Sequence, residues 1–357
     1  MSDRLAHYRQ LRDFAATPEP AGDAFPLPPS GERRFVIQEH DATRLHWDLR
    51  LERDGVLVSW ALPQGIPWRP ADNRLAVHTE NHPLDYLEFH GQIPAGEYGA
   101  GRMDIWDRGT YQERTLTDDK VVVTLHGQRV RGTYALFPIG DRDWMIHRMD
   151  PPQDPDRRPI PAGLRPMRGV AGDLPDGPGW AFEIRWAGER VLVTNDAGHV
   201  AITDGDGDDV SVSFPEVRRV GRRLAAVETV LDAVIVAVDR DGQPTNDRAA
   251  VERRLTAGDD ARARRLAGDR PVAALFVDLL WLEGHPTTEL AYQERRALLH
   301  DLDLAGPAWQ APRHHVGHGT ALLDAARARQ LPGLLAKRVD APYRPGDVSE
   351  DWVVVAA

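Results

Sequence analysis

Residues Phe35–Ala61 read FVIQEHDATRLHWDLRLERDGVLVSWA, and this stretch predicts both a local fold and a local chemistry. Successive side chains of a β-strand point to opposite faces, so residues two apart share a face. From Leu45 one face is apolar, whereas three polar side chains alternate on the other face: His46, Asp48 and Arg50. His40 ends the preceding apolar run, and the residues between can turn the chain back. We therefore expect two imidazoles and a carboxylate to converge on one surface.

This polar row is compatible with two kinds of surface. Alternating polar residues on a strand are typical of a solvent-exposed face. The set His40, His46 and Asp48 is also a three-ligand metal site, with Arg50 one strand step further on. Two imidazole nitrogens and one carboxylate oxygen suit Mn²⁺, Zn²⁺ or a related divalent ion, and we expect Mn²⁺. The chain has no cysteine, so any metal must use His, Asp or Glu.

The same segment resembles the 3'-phosphoesterase module of bacterial DNA ligase D. The motif H-x5-H-x-D-x-R followed by L-x-S-W-A is matched by His40, His46, Asp48, Arg50 and Leu57–Ala61. Further matches follow in the order of the family, at Arg74–Val77, His82–Tyr86, Ile93–Gly101 and Ile105–Thr110. The resemblance covers the first 150 residues and implies a compact β-barrel with its site on a concave outer face.

Apolar runs in residues 31–150 support an all-β domain independently of the resemblance. They are short and alternate with Gly, Pro, Asp and Asn turns, as at Val56–Leu62, Lys120–Leu125 and Trp144–Met149. Strands at such regular spacing favour a barrel or a sandwich.

The resemblance also implies roles for residues outside the metal set. Arg50 and Arg74 would grip phosphate oxygens through their guanidinium forks. His82 would donate a proton to the leaving oxygen or bind the phosphate, and Tyr86 would bond the same oxyanion. One departure is Gln64, which stands where the family commonly has a lysine.

Residues 1–30 begin with a short helical pattern and continue as a Pro-rich strip, which alone predicts a mobile arm. They resemble the leader of the family, L-x2-Y-x3-R-D-F-x2-T-x-E-P, in which the charged residues reach the phosphoesterase site. The matching positions are Arg12, Asp13 and Glu19. The alternative is a set of helix-surface charges before a disordered link.

Length and composition limit the remaining possibilities. A chain of 357 residues predicts two domains of ordinary size. A net charge of −11 means that a nucleic-acid enzyme of this composition needs a local basic patch, a metal or a partner to hold its substrate. No apolar run is long enough to span a membrane, and the charged N-terminus lacks an apolar signal core. We expect a cytoplasmic, nucleoid-associated protein.

Residues 151–170 carry many prolines and predict an interdomain linker. Residues 171–357 mix strands and helices, which favours an α+β domain. The helices are expected at Phe214–Val227, Arg248–Ala267, Tyr292–Leu302 and Thr320–Gln330.

This second half resembles the adenylation domain of an ATP-dependent DNA ligase, a nucleotidyltransferase fold. Where the family has K-x-D-G-x-R, this chain has Arg185-Trp186-Ala187-Gly188-Glu189-Arg190. The family nucleophile is a lysine whose neutral amine attacks ATP, and arginine stays protonated. Other charged family positions are replaced at Val234, Pro332, Val354 and Ala356, whereas apolar framework positions are kept. Because the chain ends at Ala357, the OB-fold domain that follows in the family is expected to be absent.

The resemblance implies a metal-dependent phosphoesterase that trims DNA or primer 3' ends bearing a terminal ribonucleotide or 3'-phosphate, as end-cleaning before bacterial end joining. Implied partners are Ku and a separate ligase or polymerase, and no ATP requirement is expected. Two alternatives stay open. One is a ligase that adenylates through another lysine, such as Lys337, and the other is a non-catalytic DNA-end scaffold.

Overall fold

A closed barrel of eight antiparallel strands organises the first half of the chain. The computed structural model describes residues 3–22 and 32–357, and the chain divides into two units, Met1–Pro155 and Asp156–Ala357. Helix α1 (Ala6–Gln10) precedes the barrel. The strands of this unit are β1 (Arg33–Asp41), β2 (Leu45–Arg53), β3 (Val56–Leu62), β4 (Asn73–His78), β5 (Gly91–Ile93), β6 (Gly101–Leu116), β7 (Val121–Gly127), β8 (Arg131–Pro138) and β9 (Asp143–Arg148).

The barrel closes because β6 pairs back to β1. The strand order is β1-β2-β3-β4-β9-β8-β7-β6, and the short β5 pairs with the outer end of β6. Closure leaves the barrel without an unpaired edge. The predicted all-β barrel is therefore confirmed.

The predicted apolar side of β2 faces the barrel interior, where Trp47, Leu49 and Leu51 are fully buried. The opposite face is covered as well, by a satellite core that includes Leu5, Tyr8, Leu84 and Tyr86. Residues 3–22 and the segment after β4 thus pack on the outside of the barrel. The N-terminal arm, predicted to be mobile on its own, is packed where it is described, because Tyr8 has an apolar surface to bury. The Pro-rich strip mostly lies outside the described residues.

Two sheets build the second unit. Its strands are β10 (Arg168–Ala171), β11 (Trp180–Ile184), β12 (Glu189–Asp196), β13 (His199–Asp204), β14 (Thr229–Ala237), β15 (Val272–Leu282), β16 (His285–Pro286), β17 (Ala305–Gly306), β18 (Trp309–Gln310), β19 (His315–Val316), β20 (Gly333–Arg338) and β21 (Val348–Ala356). Its helices are α2 (Val220–Leu224), α3 (Arg248–Leu255), α4 (Asp260–Asp269), α5 (Tyr292–Asp301) and α6 (Gly319–Ala328).

The larger sheet has the order β13-β12-β14-β15-β18-β17, and the smaller has β10-β21-β20-β11-β19. A buried cluster that includes Leu192, Trp281, Tyr343 and Trp352 joins residues of both sheets. This is the predicted α+β nucleotidyltransferase-like fold. Within the part of the chain that the structure describes, no OB-fold barrel follows these sheets.

Some predicted elements differ in extent. The helix predicted over Arg248–Ala267 is two helices, because Gly258 adopts a left-handed conformation and Asp259 caps α4 by accepting from the Arg262 amide. The helix predicted over Phe214–Val227 reduces to α2 and short 3₁₀ turns, since Pro215 disfavours helix at the residue before it.

The predicted linker is largely packed structure. Its residues from Asp156 onward belong to the second unit, and Met167 is fully buried in the cluster between the sheets. Arg157 forms an ion pair of 2.7 Å with Glu228. Prolines keep this segment extended, but its apolar side chains still find a core. No helix in the described ranges is long and apolar enough to cross a membrane.

Candidate metal and phosphate site

The three predicted metal ligands meet on the outer face of β1 and β2. His40 and His46 lie directly opposite each other across the two antiparallel strands, and Asp48 is two residues further along β2. Their ligand atoms all lie within 4.8 Å of one another. His40 Nδ1 is 3.7 Å from Asp48 Oδ2, and His46 Nε2 is 3.6 Å from Asp48 Oδ1. Two ligands of one first-row metal, each bound at about 2.0–2.2 Å, lie about 3–3.5 Å apart, so this set fits a divalent ion.

Backbone carbonyls fix the orientation of both imidazoles. His40 Nε2 lies 2.9 Å from the Gly99 carbonyl oxygen, and His46 Nδ1 lies 2.9 Å from the Arg44 carbonyl oxygen. A carbonyl only accepts, so each of these nitrogens carries the hydrogen and donates it. The other nitrogen of each ring is then the one with a lone pair, and it faces Asp48. Metal-binding histidines have this kind of outer hydrogen bond.

Asp48 and Arg50 form a buried ion pair beside the two imidazoles. Arg50 Nη2 donates to Asp48 Oδ2 at 2.8 Å, Nε donates to Gln38 at 2.7 Å, and Nη1 donates to Ser59 at 3.1 Å. Burial alone would raise the pKa of Asp48. The charge of Arg50 outweighs burial and holds the pKa of Asp48 well below its ordinary value. The carboxylate is thus charged and ready to bind a cation.

His82 lies across the pocket and is held as a neutral ring. Burial, followed by the charges of Arg50 and Arg12, lowers the pKa of His82 well below its ordinary value. Its Nδ1 donates to the Glu80 carbonyl oxygen at 2.9 Å, which leaves Nε2 as an acceptor, 3.4 Å from Arg12 Nη2. In this arrangement His82 accepts a proton, and it must first take one up before it can donate to a leaving oxygen.

The N-terminal arm supplies the remaining side of the pocket. Arg12 Nε donates to Glu19 at 2.7 Å, and Arg12 Nη1 donates to Glu80 at 3.1 Å. Glu19 also accepts from the Tyr86 hydroxyl, and burial is the largest cause that raises the pKa of Tyr86 far above its ordinary value. Both Arg12 and Glu19 side chains are almost entirely buried. The arm therefore reaches the pocket through this charged network.

These groups enclose a cavity of about 210 Å³. Its lining contains most of the predicted site residues: Arg12, Glu19, His40, His46, Asp48, Arg50, His82 and Tyr86. Sequence reasoning missed Glu80 and Tyr98, which line the same cavity. Glu80 could have been predicted because it lies two residues before His82 in an extended segment, where residues two apart share a face. A signal for Tyr98 was its place inside the matched glycine-rich segment.

Two predicted site residues do not line this cavity. Arg74 Nη1 donates to the Gln64 and Ile66 carbonyl oxygens, so it braces the loop after β3. Asp13 is exposed, and its Oδ1 accepts from the Ala15 amide at 3.0 Å in a turn of the arm. A matched motif fixes the position of a residue along the chain but not the direction of its side chain. Direct roles for Arg74 and Asp13 remain predictions.

The second unit has a cavity of about 250 Å³ at the end of β11. Arg185, the position of the family nucleophile, lines it together with Val234 and Val354. Three positions at which this chain lacks the ligase family's charged residue or lysine therefore line one cavity. Arg190, also in the lining, forms a bidentate pair with Asp232.

Lys337, the alternative nucleophile, lies outside that lining and is fully buried. Its Nζ donates to the Val277 carbonyl oxygen at 2.9 Å and lies 3.1 Å from Glu183 and 3.5 Å from Asp278. Lys337 therefore pairs with two buried carboxylates, away from the cavity that Arg185 lines.

Comparisons with known proteins match both units. A family model described as the DNA Ligase D 3'-phosphoesterase domain matches residues 38–138. A second, described as the ATP dependent DNA ligase domain, matches residues 170–355.

Similar curated proteins match almost the whole chain. The multifunctional non-homologous end joining protein LigD of Mycolicibacterium smegmatis is 38% identical over 366 residues, covering 99% of this chain and 45% of that protein. The LigD protein of Pseudomonas aeruginosa is 30% identical over 412 residues, covering 99% of this chain and 47% of that protein. The chain thus spans less than half the length of these relatives.

Solved structures also resemble the chain over about half its length. The ligase domain from M. tuberculosis LigD is 31% identical, with a TM-score of 0.45, and the match covers 53% of this chain and 59% of that chain.

Proposed function

Because the chain belongs to the DNA ligase D family, with a 3'-phosphoesterase domain followed by an ATP-dependent DNA ligase domain, we propose that its first unit is a metal-dependent 3'-end-processing phosphoesterase. The observation that carries this proposal is the meeting of the triad His40, His46 and Asp48 with Arg50 and His82 in one cavity. A divalent-ion site beside buried cations suits phosphate-ester hydrolysis.

The proposed substrate is a DNA or primer 3' end that carries a terminal ribonucleotide or a 3'-phosphate. Water first cleaves the diester, releasing the terminal nucleoside and leaving a 3'-phosphate. A second water then releases inorganic phosphate and leaves a 3'-hydroxyl. Such end-cleaning prepares ends for bacterial non-homologous end joining.

Each residue of the pocket has a proposed task in this reaction. A divalent ion, here proposed to be Mn²⁺, would be held by His40, His46 and Asp48 and would neutralise charge on a phosphoryl oxygen. Arg50 has five N–H donors, and three of its bonds to protein atoms orient the guanidinium toward the triad. His82 Nε2, an acceptor in the free site, takes a proton from water or from the phosphate.

The arm completes the pocket by holding neutral and charged donors in place. Arg12 positions His82 Nε2 and Glu80, and Glu19 positions the Tyr86 hydroxyl. We propose that the arm, the triad and the segment 80–86 act as one site. Asp13 and Arg74 would then act through the turn and the loop that they brace.

The proposal is tested with a labelled primer–template whose 3' end carries one ribonucleotide or a 3'-phosphate. Purified full-length protein is incubated with no metal, with EDTA, and with Mn²⁺, Zn²⁺ or Mg²⁺ in turn. We expect conversion to a 3'-hydroxyl only with an added divalent ion and without ATP. Equal turnover in EDTA, or no turnover with any of these metals, would contradict the proposed function.

For the second unit we propose an adenylation fold without ligase chemistry. Support comes from the cavity that Arg185, Val234 and Val354 share, since the nucleophile and other charged groups of the family are replaced there. The alternative of a ligase working through Lys337 is weakened by the buried carboxylates around its Nζ. The alternative of a non-catalytic scaffold is weakened by the presence of the triad, Arg50 and His82 together in one cavity.

The wider context is proposed from the family alone. The protein would act at DNA ends in the cytoplasm, in association with the nucleoid. Ku and a separate ligase or polymerase would be its partners.

A further inference from the structure

A half-exposed tyrosine lies at the mouth of the phosphoesterase cavity. Tyr98 is on the loop between β5 and β6, lines the same cavity as the triad, and keeps 45% of its surface exposed. The cavity also contains the charged side chains of Arg12, Glu80 and Asp48, so the exposed ring lies beside groups that suit a phosphate.

The loop that carries Tyr98 is fixed to the metal triad. The carbonyl of Gly99, the next residue, accepts from His40 Nε2 at 2.9 Å. Gly101 has a φ of +153°, and a Cβ there would lie 2.5 Å from the Asp41 carbonyl oxygen, so this end of the loop packs directly on the turn after β1. The ring is therefore carried by a backbone that is anchored at two points to the end of β1, beside His40.

The Tyr98 ring lies against Arg12, and nearly half of the side chain is exposed to solvent. The Arg12 guanidinium carbon lies 5.3 Å from the Tyr98 ring centroid and 3.9 Å from that of Tyr8. Arg12 is itself held by Glu19 and Glu80. Burial, followed by the charge of Glu80, raises the pKa of Tyr98, so its hydroxyl stays neutral. Arg12 thus contacts a neutral aromatic ring that is partly exposed beside the cavity.

The volume of the cavity limits which part of a bound nucleotide can contact the Tyr98 ring. The cavity measures about 210 Å³, below the roughly 300–1,000 Å³ of pockets that enclose drug-sized ligands. It has room for a phosphate and part of a sugar, and the base next to that phosphate must lie outside, at the mouth. Aromatic side chains bind successive bases of single strands by stacking, whatever the base.

We propose that Tyr98 is a positioning residue that stacks on the base of the nucleotide adjoining the reacting phosphate. This inference rests on the proposed phosphoesterase function and names the part of the substrate that the pocket recognises beyond phosphate. It predicts recognition of a frayed or single-stranded 3' end without preference for one base.

The test compares Tyr98→Ala with Tyr98→Phe on primer ends that carry a 3' ribonucleotide. Loss of one stacked base raises KM about tenfold or more while kcat changes little. The phenylalanine variant, which keeps the ring, is expected to retain the wild-type KM. Phe137→Ala is the matched control, because Phe137 is an exposed aromatic residue outside the cavity lining.

Abasic substrates separate stacking from a structural role of the ring. Two primers lack a base, one at the terminal ribonucleotide and one at the residue before it. With the primer that lacks the stacked base, wild type and Tyr98→Ala should have similar KM values, and this identifies which base is bound. The inference would be overturned if Tyr98→Ala had the wild-type KM on the intact primer. It would also be overturned if Tyr98→Ala raised KM equally on both abasic primers.

A binding measurement keeps the inference distinguishable from the proposed function. Wild-type turnover in the same assay reports on phosphoesterase activity by itself. In EDTA, where no turnover is expected, a primer with 2-aminopurine at the stacked position should lose fluorescence on binding wild type or Tyr98→Phe. Equal quenching by Tyr98→Ala would contradict stacking even if the enzyme is active.

Discussion

Arg50 illustrates how a polar position on a strand becomes part of a buried site. The sequence places it on the polar side of β2, yet only 2% of its surface is exposed, because the outer face of the barrel is covered. A buried charge is tolerated when it is paired and its hydrogen bonds are satisfied, and Arg50 is bound to Asp48, Gln38 and Ser59. The residue pair thus supplies a charged carboxylate at the metal site without leaving an isolated charge.

At the same scale, loss of one proposed ligand is expected to abolish turnover without unfolding the chain. His46→Ala removes a lone pair from the triad, and activity should fall at least about hundredfold, the upper end of what removal of an outer-shell partner costs. The His46 side chain is 21% exposed, so its loss should change stability by only about 0.5 kcal/mol. His126→Ala, at an exposed position on β7, is the control. Calorimetric Mn²⁺ binding by His46→Ala equal to wild type would contradict the ligand assignment.

The pH dependence of stability should depend on His78. Its ring packs against Trp60 and Trp144, and burial, followed by the charge of Arg142, lowers the pKa of His78. On acidification the unfolded chain takes up this proton first, so the contribution to stability is present above about pH 6.5 and is lost as pH falls toward the folded pKa. Buried neutral His82 acts in the same direction.

We therefore expect the melting temperature of the full chain to fall between pH 7.5 and pH 5.5, and to fall less steeply in His78→Phe. Phenylalanine keeps an aromatic ring against the two tryptophans and removes the titration. Differential scanning calorimetry across this range is the measurement, with His126→Phe as the control. If the melting temperature fell equally steeply with pH in His78→Phe and wild type, His78 would not contribute to the pH dependence of stability.

At the scale of elements, strand periodicity predicted β2 and its two faces, and the covalent order of the motif predicted which side chains meet. Two-residue alternation fixes the face of each side chain, so His46 and Asp48 were predictable as neighbours. Contacts between distant segments were not predictable in this way. The approach of Glu80 to Arg12, and the packing of Tyr8 on the barrel, depend on how the arm and the segment after β4 fold over β1 and β3.

The role of the arm can be tested by replacing two arginines that are close in sequence, because the two replacements should differ in their effects on stability and turnover. Arg12→Ala leaves Glu19 and Glu80 buried without their counter-ion, which costs about 3–5 kcal/mol by analogy with broken buried pairs. It also removes the contact to His82, so turnover should fall together with stability. Arg9→Ala breaks an exposed pair with Asp3 and should cost no more than about 1 kcal/mol. Steady-state kinetics and thermal melts of the two variants are the measurements. Equal losses of turnover and stability in both variants would contradict a role of the arm in the site.

At the scale of the whole molecule, the two units differ in how much of their family's sequence pattern they retain. In the first unit the framework of the family pattern is present together with its charged groups, except at Gln64. In the second unit the framework is present, but the cavity at the end of β11 is lined by Arg185, Val234 and Val354. Val234 and Val354 stand where the ligase family carries charged groups, so we expect the fold to be kept without its phosphoryl-transfer chemistry.

The second unit is accordingly expected to form no covalent nucleotide adduct. Covalent lysine–AMP chemistry needs an amine that can lose its proton, and the guanidinium of Arg185 does not. Lys337 has an amine, but it is fully buried and held between Glu183 and Asp278. We therefore expect neither group to attack the α-phosphorus of ATP.

Restoring the lysine alone should also fail. Ala187, Val234 and Val354 still replace charged groups that would stabilise the same pentavalent phosphorus, and groups that act together in this way are strongly non-additive. Intact-mass spectrometry of wild type and Arg185→Lys after incubation with ATP and Mg²⁺ or Mn²⁺ is the measurement. An adduct of AMP on wild type, mapped to Lys337, would reinstate the ligase alternative. An adduct on Arg185→Lys alone would contradict the predicted failure of the single restoration and show that the cavity still binds ATP, in which case the unit is a nucleotide sensor rather than an inert scaffold.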